Sequence, residues 1–222
     1  MITSPIPLFP LGMVLLPGAS VPLHLFEPRY RALLRDVNAT TRRFGLIMPP
    51  PDTAEADLPV GRIGCVAVIT AADVLPDGRA NIVIEGAERF RFDGYVDRGT
   101  SYRMGNVSEY QDLDDEPLSL AGAADRVRTL ARRAMQASMT IHDATGEMPV
   151  LAEEPGALSF QVAHMLRVGT EMLYELLAGR SALARLEQVE RAIRSGLQDI
   201  EGAATLHVRA KTNGFHHGPP PS

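Results

Sequence analysis

The hydrophobic positions in the first half of the chain form short runs separated by turn residues, a pattern typical of β-strands. Strands of this length and spacing indicate a barrel or a sandwich. The predicted strands are Ile6–Leu11, Val21–Leu25, Phe44–Met48, Arg62–Val74, Asn81–Glu85, Phe90–Val96 and Tyr102–Glu109. Between the fourth and fifth runs, Asp77-Gly78 follows Pro76 and favours the positive φ angles of a tight hairpin turn. Gly86 interrupts the next run and predicts a β-bulge.

One helix is embedded in this β-rich region, and helical periodicity returns after residue 117. In the embedded helix, Pro28 suits the first turn, where a missing N–H group is tolerated. Its apolar face comprises Phe26, Tyr30, Leu33, Leu34 and Val37. Four later segments also have apolar residues at helical spacing, and they contain Leu120, Leu158, Met172 and Leu183, respectively. The sequence therefore predicts an α+β fold, a β-barrel with one embedded helix followed by an α-helical bundle.

An acidic run at residues 112–117 separates the two patterns. We interpret it as a link whose charges favour the start of a helix, in preference to an acidic docking patch. The predicted division is a barrel subdomain over residues 1–115 and a helical bundle over residues 116–204. The remaining residues, 205–222, are predicted to form a disordered tail, because Gly, Pro, His and polar residues dominate its end.

Composition argues against several classes of function. The net charge is −5 and the pI about 5.7, whereas nucleic-acid-binding proteins usually carry a basic surplus. The one cysteine, Cys65, rules out an internal disulfide and a multi-thiolate zinc site, and its strand-like surroundings predict burial. No metal site or cofactor is expected. We find neither a secretion signal nor a membrane-spanning run, so we expect a cytoplasmic protein.

The single lysine, Lys211, argues against two kinds of catalytic machinery. A P-loop ends in Gly-Lys-Ser/Thr, but Ala210 precedes this lysine. A Ser–Lys peptidase dyad needs a desolvated lysine, whereas Lys211 lies in a polar segment. A Gly-x-Ser-x-Gly nucleophile elbow is also missing. The sequence therefore predicts that the chain is not an enzyme, and a hydrolase of unknown type is kept as an alternative.

Two segments resemble the amino-terminal, substrate-binding domain of bacterial Lon-type proteases. Residues 7–30 contain PLFPLG, VLLPG and PLHLFEPRY, and residues 62–91 contain RIG, LPDGRANI and EGAERFR, in the family's order and spacing. A weaker match lies in the helical part, where Leu176-Leu177 and Arg185-Leu186-Glu187 are similar to the family's "LL…RLE" segment. The resemblance implies a PUA-like barrel followed by a helical bundle. It also implies recognition of unfolded or degron-bearing polypeptides and a contribution to homo-oligomer assembly, with no catalytic residue. We expect a stand-alone form without the ATPase and peptidase domains.

The leading hypothesis is a groove between barrel and bundle that binds apolar polypeptide segments. The residues predicted to line it are Pro22, His24, Phe26, Tyr30, Arg89 and Phe90. Core packing is the alternative role for Phe26 and Phe90. Glu27, Arg29, Glu85 and Arg89 are candidates for an ion-pair network that holds the embedded helix to the barrel. A second hypothesis is an adaptor that docks to a separate ATP-dependent protease through the last helix, residues 182–200.

Overall fold

The computed structural model describes residues 5–166 and 168–213, which fold into two compact units. The first unit contains the residues up to Asp114 together with the returning segment Ala163–Ser181. The second contains Asp115–Val162 and the residues from Ala182 onward. The sequence-based division at residue 115 had assigned the returning segment to the helical bundle. That assignment followed helical periodicity, which does not report the partner against which a helix packs.

Six strands form the sheet of the first unit. They are β1 (Ile6–Pro10), β2 (Ser20–Leu25), β3 (Arg43–Ile47), β4 (Ile63–Val74), β5 (Ala80–Val96) and β6 (Arg103–Glu109). The sheet closes on itself because β5 is long enough to pair with β4 and β2 along its first half and with β4 and β6 along its second half. The ring continues from β4 through β3 and β1 to β6, and β2 lies outside it at the edge. The predicted barrel is confirmed.

The two predicted strands on either side of Gly86 are one continuous strand, β5. Gly86 does not end the strand because its N–H donates to the Ala19 carbonyl at 2.9 Å and its carbonyl accepts from Gly18 at 2.7 Å. A register shift against β4, between Cys65 and Ala67, confirms the predicted bulge. A Cβ atom at Gly86 would lie 2.1 Å from the Leu16 carbonyl oxygen, so only glycine fits this approach.

The embedded helix, α1, spans Pro28–Asn38 and has a proline in its first turn, as predicted. Its buried residues are Tyr30, Leu33, Leu34 and Val37. Phe26 does not belong to this face, since it precedes the N-cap residue Glu27 and its side chain is 61% exposed. The hairpin turn is also confirmed, because β4 and β5 pair as far as Val74 and Ala80.

Four further α-helices follow the strands in the described chain: α2 (Pro117–Ile141), α3 (Pro155–Met165), α4 (Thr170–Ala178) and α5 (Ala182–Asn213). At the start of α2, the Glu116 carboxylate accepts from two backbone N–H groups, which supports the helix-start interpretation of the acidic run. In the second unit α2 packs along α5, and Arg126–Glu190 and Arg133–Glu201 ion pairs join the two helices.

The predicted disordered tail is wrong for residues 205–213, because α5 continues through them. The sequence did not reveal the contacts that hold this end of α5 to Asp143. His207 lies 3.0 Å from the Asp143 carboxylate, which also pairs with Lys211. Residues 214–222 lie outside the described residues. Among the helices of the described chain, none has the length and apolarity needed to cross a membrane.

Candidate functional site

A groove of about 1010 Å³ opens within the first unit. Apolar and aromatic residues contribute most of its lining. They come from the end of β1 and the residues after it (Phe9–Leu11), the end of β2 (Leu23–Phe26), the segment Met48–Pro51, and the helix α4. The groove therefore joins a strand edge, a loop and a helix of one compact unit.

Aromatic and proline residues give the groove a rigid apolar surface. The rings of Phe9 and Tyr30 pack with centroids 3.8 Å apart, and the ring of Phe26 stacks on that of His24 at 6.2 Å. Residues Pro49–Pro51 follow β3, and their fixed φ angles limit the conformational entropy that binding would remove. Phe26, exposed at the rim, offers a large apolar surface to a ligand.

Tyr174 of α4 forms part of the wall and is fixed from two sides. Its hydroxyl accepts a hydrogen bond from the Ile63 backbone N–H at 3.3 Å. The Arg62 guanidinium lies 3.5 Å from the centroid of its ring, and Arg62 Nε donates to the Met48 carbonyl at 2.7 Å. Burial lowers the pKa of Arg62 from its usual value, although Tyr174 opposes this effect. These contacts connect α4 to the barrel strand β4 and to the segment Met48–Pro51, which also lines the groove.

Arg89 holds the carboxyl end of α4. This buried side chain donates to the carbonyls of Leu177 at 2.8 Å and Gly179 at 2.7 Å, and it pairs with Asp112. A cation at this end of a helix satisfies carbonyls that have no partner within the helix. The Tyr110 hydroxyl adds a 2.7 Å hydrogen bond to the Ala178 carbonyl. Arg89 thus positions one wall of the groove without lining it.

An ion-pair cluster contributes Glu27, Tyr30 and Glu55 to the lining of the groove. Arg29 binds Glu27 at 2.9 Å and also contacts both oxygens of Glu55, while the Tyr30 hydroxyl donates to Glu55 Oε1 at 3.2 Å. Burial, followed by the Glu55 charge, raises the pKa of Tyr30 above its usual value. Tyr30 therefore stays protonated and keeps donating to the carboxylate at any ordinary pH.

The structure brings together three of the six residues predicted to line a groove. His24, Phe26 and Tyr30 line it, whereas Pro22 is exposed on β2 and lines a smaller hollow formed with β4 and β5. Arg89 and Phe90 do not line the groove, which corrects the expectation for both. Arg89 anchors α4, and the fully buried Phe90 belongs to the barrel core.

The four ion-pair candidates do not form one network. Glu27 and Arg29 pair with each other at the start of α1, while Arg89 pairs with Asp112 instead. Glu85 is exposed, and within the described chain it has no ion-pair partner. Sequence reasoning also missed Glu55, Arg62 and Tyr174. Arg62 opens the RIG motif, but the motif does not report which residues it contacts. No local signal marks Glu55 or Tyr174, since their partners lie far away along the chain.

Two further observations concern the one cysteine and groups of side chains that could bind a metal ion. Cys65 is fully buried, and burial raises the pKa of its thiol to about 12, so it stays protonated and unreactive. No group of three or more His, Cys, Asp or Glu side chains within the described ranges is arranged to hold a metal ion.

Comparison with known proteins gives a consistent family assignment. Residues 5–195 match the family model described as the ATP-dependent protease La (LON) substrate-binding domain. The Lon protease of Desulfosudis oleivorans is 24% identical over 202 residues, which are 88% of this chain and 24% of that protein. For the Lon protease of Flavobacterium johnsoniae, identity is 26% over 61% of this chain and 17% of that protein. The chain thus spans about a quarter or less of the length of these curated relatives.

Two solved structures share the fold. The Lon N-terminal domain protein from Xanthomonas campestris is 28% identical with a TM-score of 0.58, covering 84% of this chain and 96% of that one. The N-terminal domain of the Mycobacterium avium complex Lon protease has a TM-score of 0.62 at 18% identity, covering 85% of this chain and 97% of that one. At that identity the second likeness supports the fold alone.

Proposed function

We propose that this chain, which belongs to the substrate-binding domain family of ATP-dependent protease La (LON), binds exposed apolar segments of unfolded or degron-bearing polypeptides in the groove of its first unit. The observation that carries the proposal is the apolar groove of about 1010 Å³ with the exposed Phe26 at its rim. A cavity of this size holds several apolar side chains at once. Folded proteins bury such side chains, whereas unfolded ones present them.

The edge strand β2 gives a second means of holding an extended polypeptide. One side of β2 is hydrogen-bonded to β5, and the strand stands at the end of the sheet order. Its residues Leu23, His24 and Leu25 also line the groove. An extended segment lying along this strand can form backbone hydrogen bonds while its side chains enter the groove. Backbone pairing is insensitive to sequence, as a receptor for many unfolded polypeptides requires.

The test is binding of an unfolded, fluorescently labelled casein-like polypeptide, followed by anisotropy and by fragment size. We expect Phe26→Ala to weaken binding about tenfold or more, because buried aromatic anchors contribute about 2 kcal/mol or more to such interfaces. Val74→Ala is the matched control, since Val74 is 59% exposed on the same unit but outside the groove. Equal binding by the wild type and Phe26→Ala would contradict the proposal. Cleavage that copurifies with the chain would support the hydrolase alternative.

Docking to a separate ATP-dependent protease is a second candidate function. It is motivated by the relatives, which are Lon proteases extending far beyond the matched region. The stretch of α5 first proposed for docking uses its apolar residues Leu186, Val189 and Ile193 for the core of the second unit. Farther along α5, Leu206 and Val208 are 66% and 51% exposed. If they form the docking surface, replacing both with serine abolishes capture of the protease while leaving casein binding intact.

A further inference from the structure

A proline, Pro22, lies in the middle of the edge strand β2. From the hydrogen-bonding pattern of this strand we infer that Pro22 determines where an extended polypeptide pairs with β2, and that it confines the pairing to the end of the strand beside the groove. The inference deepens the proposed function and rests on it. Among the described strands β2 pairs with β5 alone, so its other edge is open to a ligand.

The backbone of β5 shows which residues of β2 face that open edge. In a sheet, each residue directs its N–H and C=O to one neighbouring strand, and successive residues alternate between the two neighbours. Gly86 directs both groups to the segment before β2, donating at 2.9 Å and accepting at 2.7 Å. On the side of β4, the Arg79 carbonyl accepts from the Leu75 N–H at 2.8 Å, and the Val83 carbonyl accepts from the Thr70 hydroxyl at 3.1 Å. Between these points the odd-numbered residues of β5 therefore face β4, and the even-numbered residues face β2.

This alternation places the missing N–H of Pro22 on the open edge. Pro22 lies opposite Val83, which faces β4, so this pair exchanges no hydrogen bond between β2 and β5. Its neighbours Val21 and Leu23 direct their backbone groups to β5 instead. The proline therefore removes no hydrogen bond from the sheet. By the same alternation His24, two residues farther along, directs both its N–H and its C=O to the open edge.

The two ends of the open edge are therefore unequal. Beside His24 a ligand strand donates to the C=O and accepts from the N–H, whereas beside Pro22 it only donates. A ligand that continues past Pro22 toward Ser20 places a carbonyl against the proline ring, where it has no donor. Residues 23–25 line the groove, whereas Pro22 lies outside its lining. Pairing at His24 thus holds the ligand where its side chains reach the groove.

Two substitutions at position 24 isolate the N–H at the open edge, with binding of a labelled, extended apolar peptide measured by anisotropy. His24→Pro removes this N–H. The matched control, His24→Ala, also loses the imidazole with its 2.7 Å hydrogen bond to Asn81 and its stacking on Phe26, but it keeps the N–H. We expect both variants to fold, because a proline is already accommodated in the same orientation at position 22. His24→Pro should bind the peptide about fivefold more weakly than His24→Ala, which corresponds to one net hydrogen bond.

The converse variant is Pro22→Val, which restores an N–H to the open edge with a residue that suits a strand. Measured at concentrations where the variant is monomeric, it should bind the peptide about fivefold more tightly than the wild type. N-methylation of the peptide at one position at a time gives a readout that needs no change in the protein. It should weaken binding to the wild type at alternate positions and have no effect at the positions between them.

Three outcomes would overturn the inference. One is equal peptide binding by His24→Pro and His24→Ala, or by Pro22→Val and the wild type. If Phe26→Ala still weakens binding in that case, the proposed function stands without the edge pairing. Unfolding of His24→Pro while His24→Ala stays folded would show that the N–H of residue 24 serves the sheet, so that the assignment of the open edge is wrong. Failure of the wild type to bind any apolar peptide would overturn both the inference and the proposed function.

Discussion

Replacing Arg89 with methionine should destabilise the first unit far more than a surface arginine replacement on the same strand. The wild-type side chain is 5% exposed and donates to the carbonyls of Leu177 and Gly179 while pairing with Asp112. Methionine retains much of the length and apolar volume but none of the donors. The variant therefore leaves two helix-terminal carbonyls and a half-buried carboxylate without this partner.

The magnitude follows from these lost contacts. A hydrogen bond from a charged donor contributes about 1.5–3 kcal/mol, and breaking a buried pair by removing one partner costs about 3–5 kcal/mol. Relaxation of α4 and entry of water limit the sum, so we expect a loss of about 3–5 kcal/mol in the free energy of unfolding. Arg91→Met is the control, because Arg91 is 54% exposed and its pair with Asp93 contributes about 1 kcal/mol or less.

Urea denaturation followed by circular dichroism measures both variants. Because Arg89 also positions the α4 wall, casein binding should weaken in Arg89→Met under conditions where the protein remains folded. If the two variants differ by less than about 0.5 kcal/mol, the anchoring role assigned to Arg89 is wrong. If Arg89→Met is destabilised but binds casein like the wild type, Arg89 stabilises the fold without shaping the groove.

Three further predictions concern the individual residues Cys65, Gly86 and Glu190. The Cys65 thiol, with a pKa of about 12, should react with a disulfide reagent at pH 8 only on unfolding, and rapid labelling of the native protein would disprove its burial. Gly86→Ala should lower the free energy of unfolding by about 2–3 kcal/mol, because its Cβ would meet the Leu16 carbonyl. Gly202→Ala, on the open surface of α5, should raise the free energy of unfolding by about 0.5–1 kcal/mol. Thermal melting compares the two variants. Burial raises the pKa of Glu190, but hydrogen bonds from two arginines outweigh this and lower it below 4.5. The stabilisation from Glu190, about 0.5–1 kcal/mol, should therefore be present above pH 4.5 and vanish as the pH falls through the lowered pKa. Urea titrations of Glu190→Gln at several pH values test this, and a pH-independent difference would contradict it.

Local patterns in the sequence predicted the barrel because each strand and turn is encoded by neighbouring residues. The Asp77-Gly78 hairpin and the proline at the start of α1 depend on backbone preferences of a few residues, so both were predictable. Phe26 was assigned to the buried face of α1 because helical spacing includes it. The helix begins two residues later, and that boundary frees its side chain for the rim.

The rest of the site depends on contacts between distant parts of the chain. Gly86 stays within one strand because the segment near Leu16 bonds its backbone, about 70 residues earlier in the chain. The α4 wall depends on Arg89 reaching the Leu177 carbonyl, 88 residues away. Tyr174 looks like one more apolar position in a helix until Arg62 and Ile63 are seen against it. Periodicity along a sequence carries no information about such partners.

The central claim is that polypeptides occupy the groove beside Phe26, and site-specific photocrosslinking tests it most directly. A benzophenone amino acid replaces Phe26 in one variant and Val74 in another, so both carry the probe at exposed positions of the same unit. Each variant is irradiated with unfolded, labelled casein, and the crosslinked product is quantified. We expect a strong product from position 26, reduced by an unlabelled apolar peptide, and a weak one from position 74. Equal yields at the two positions, or a yield at position 26 that the competitor does not change, would contradict the account.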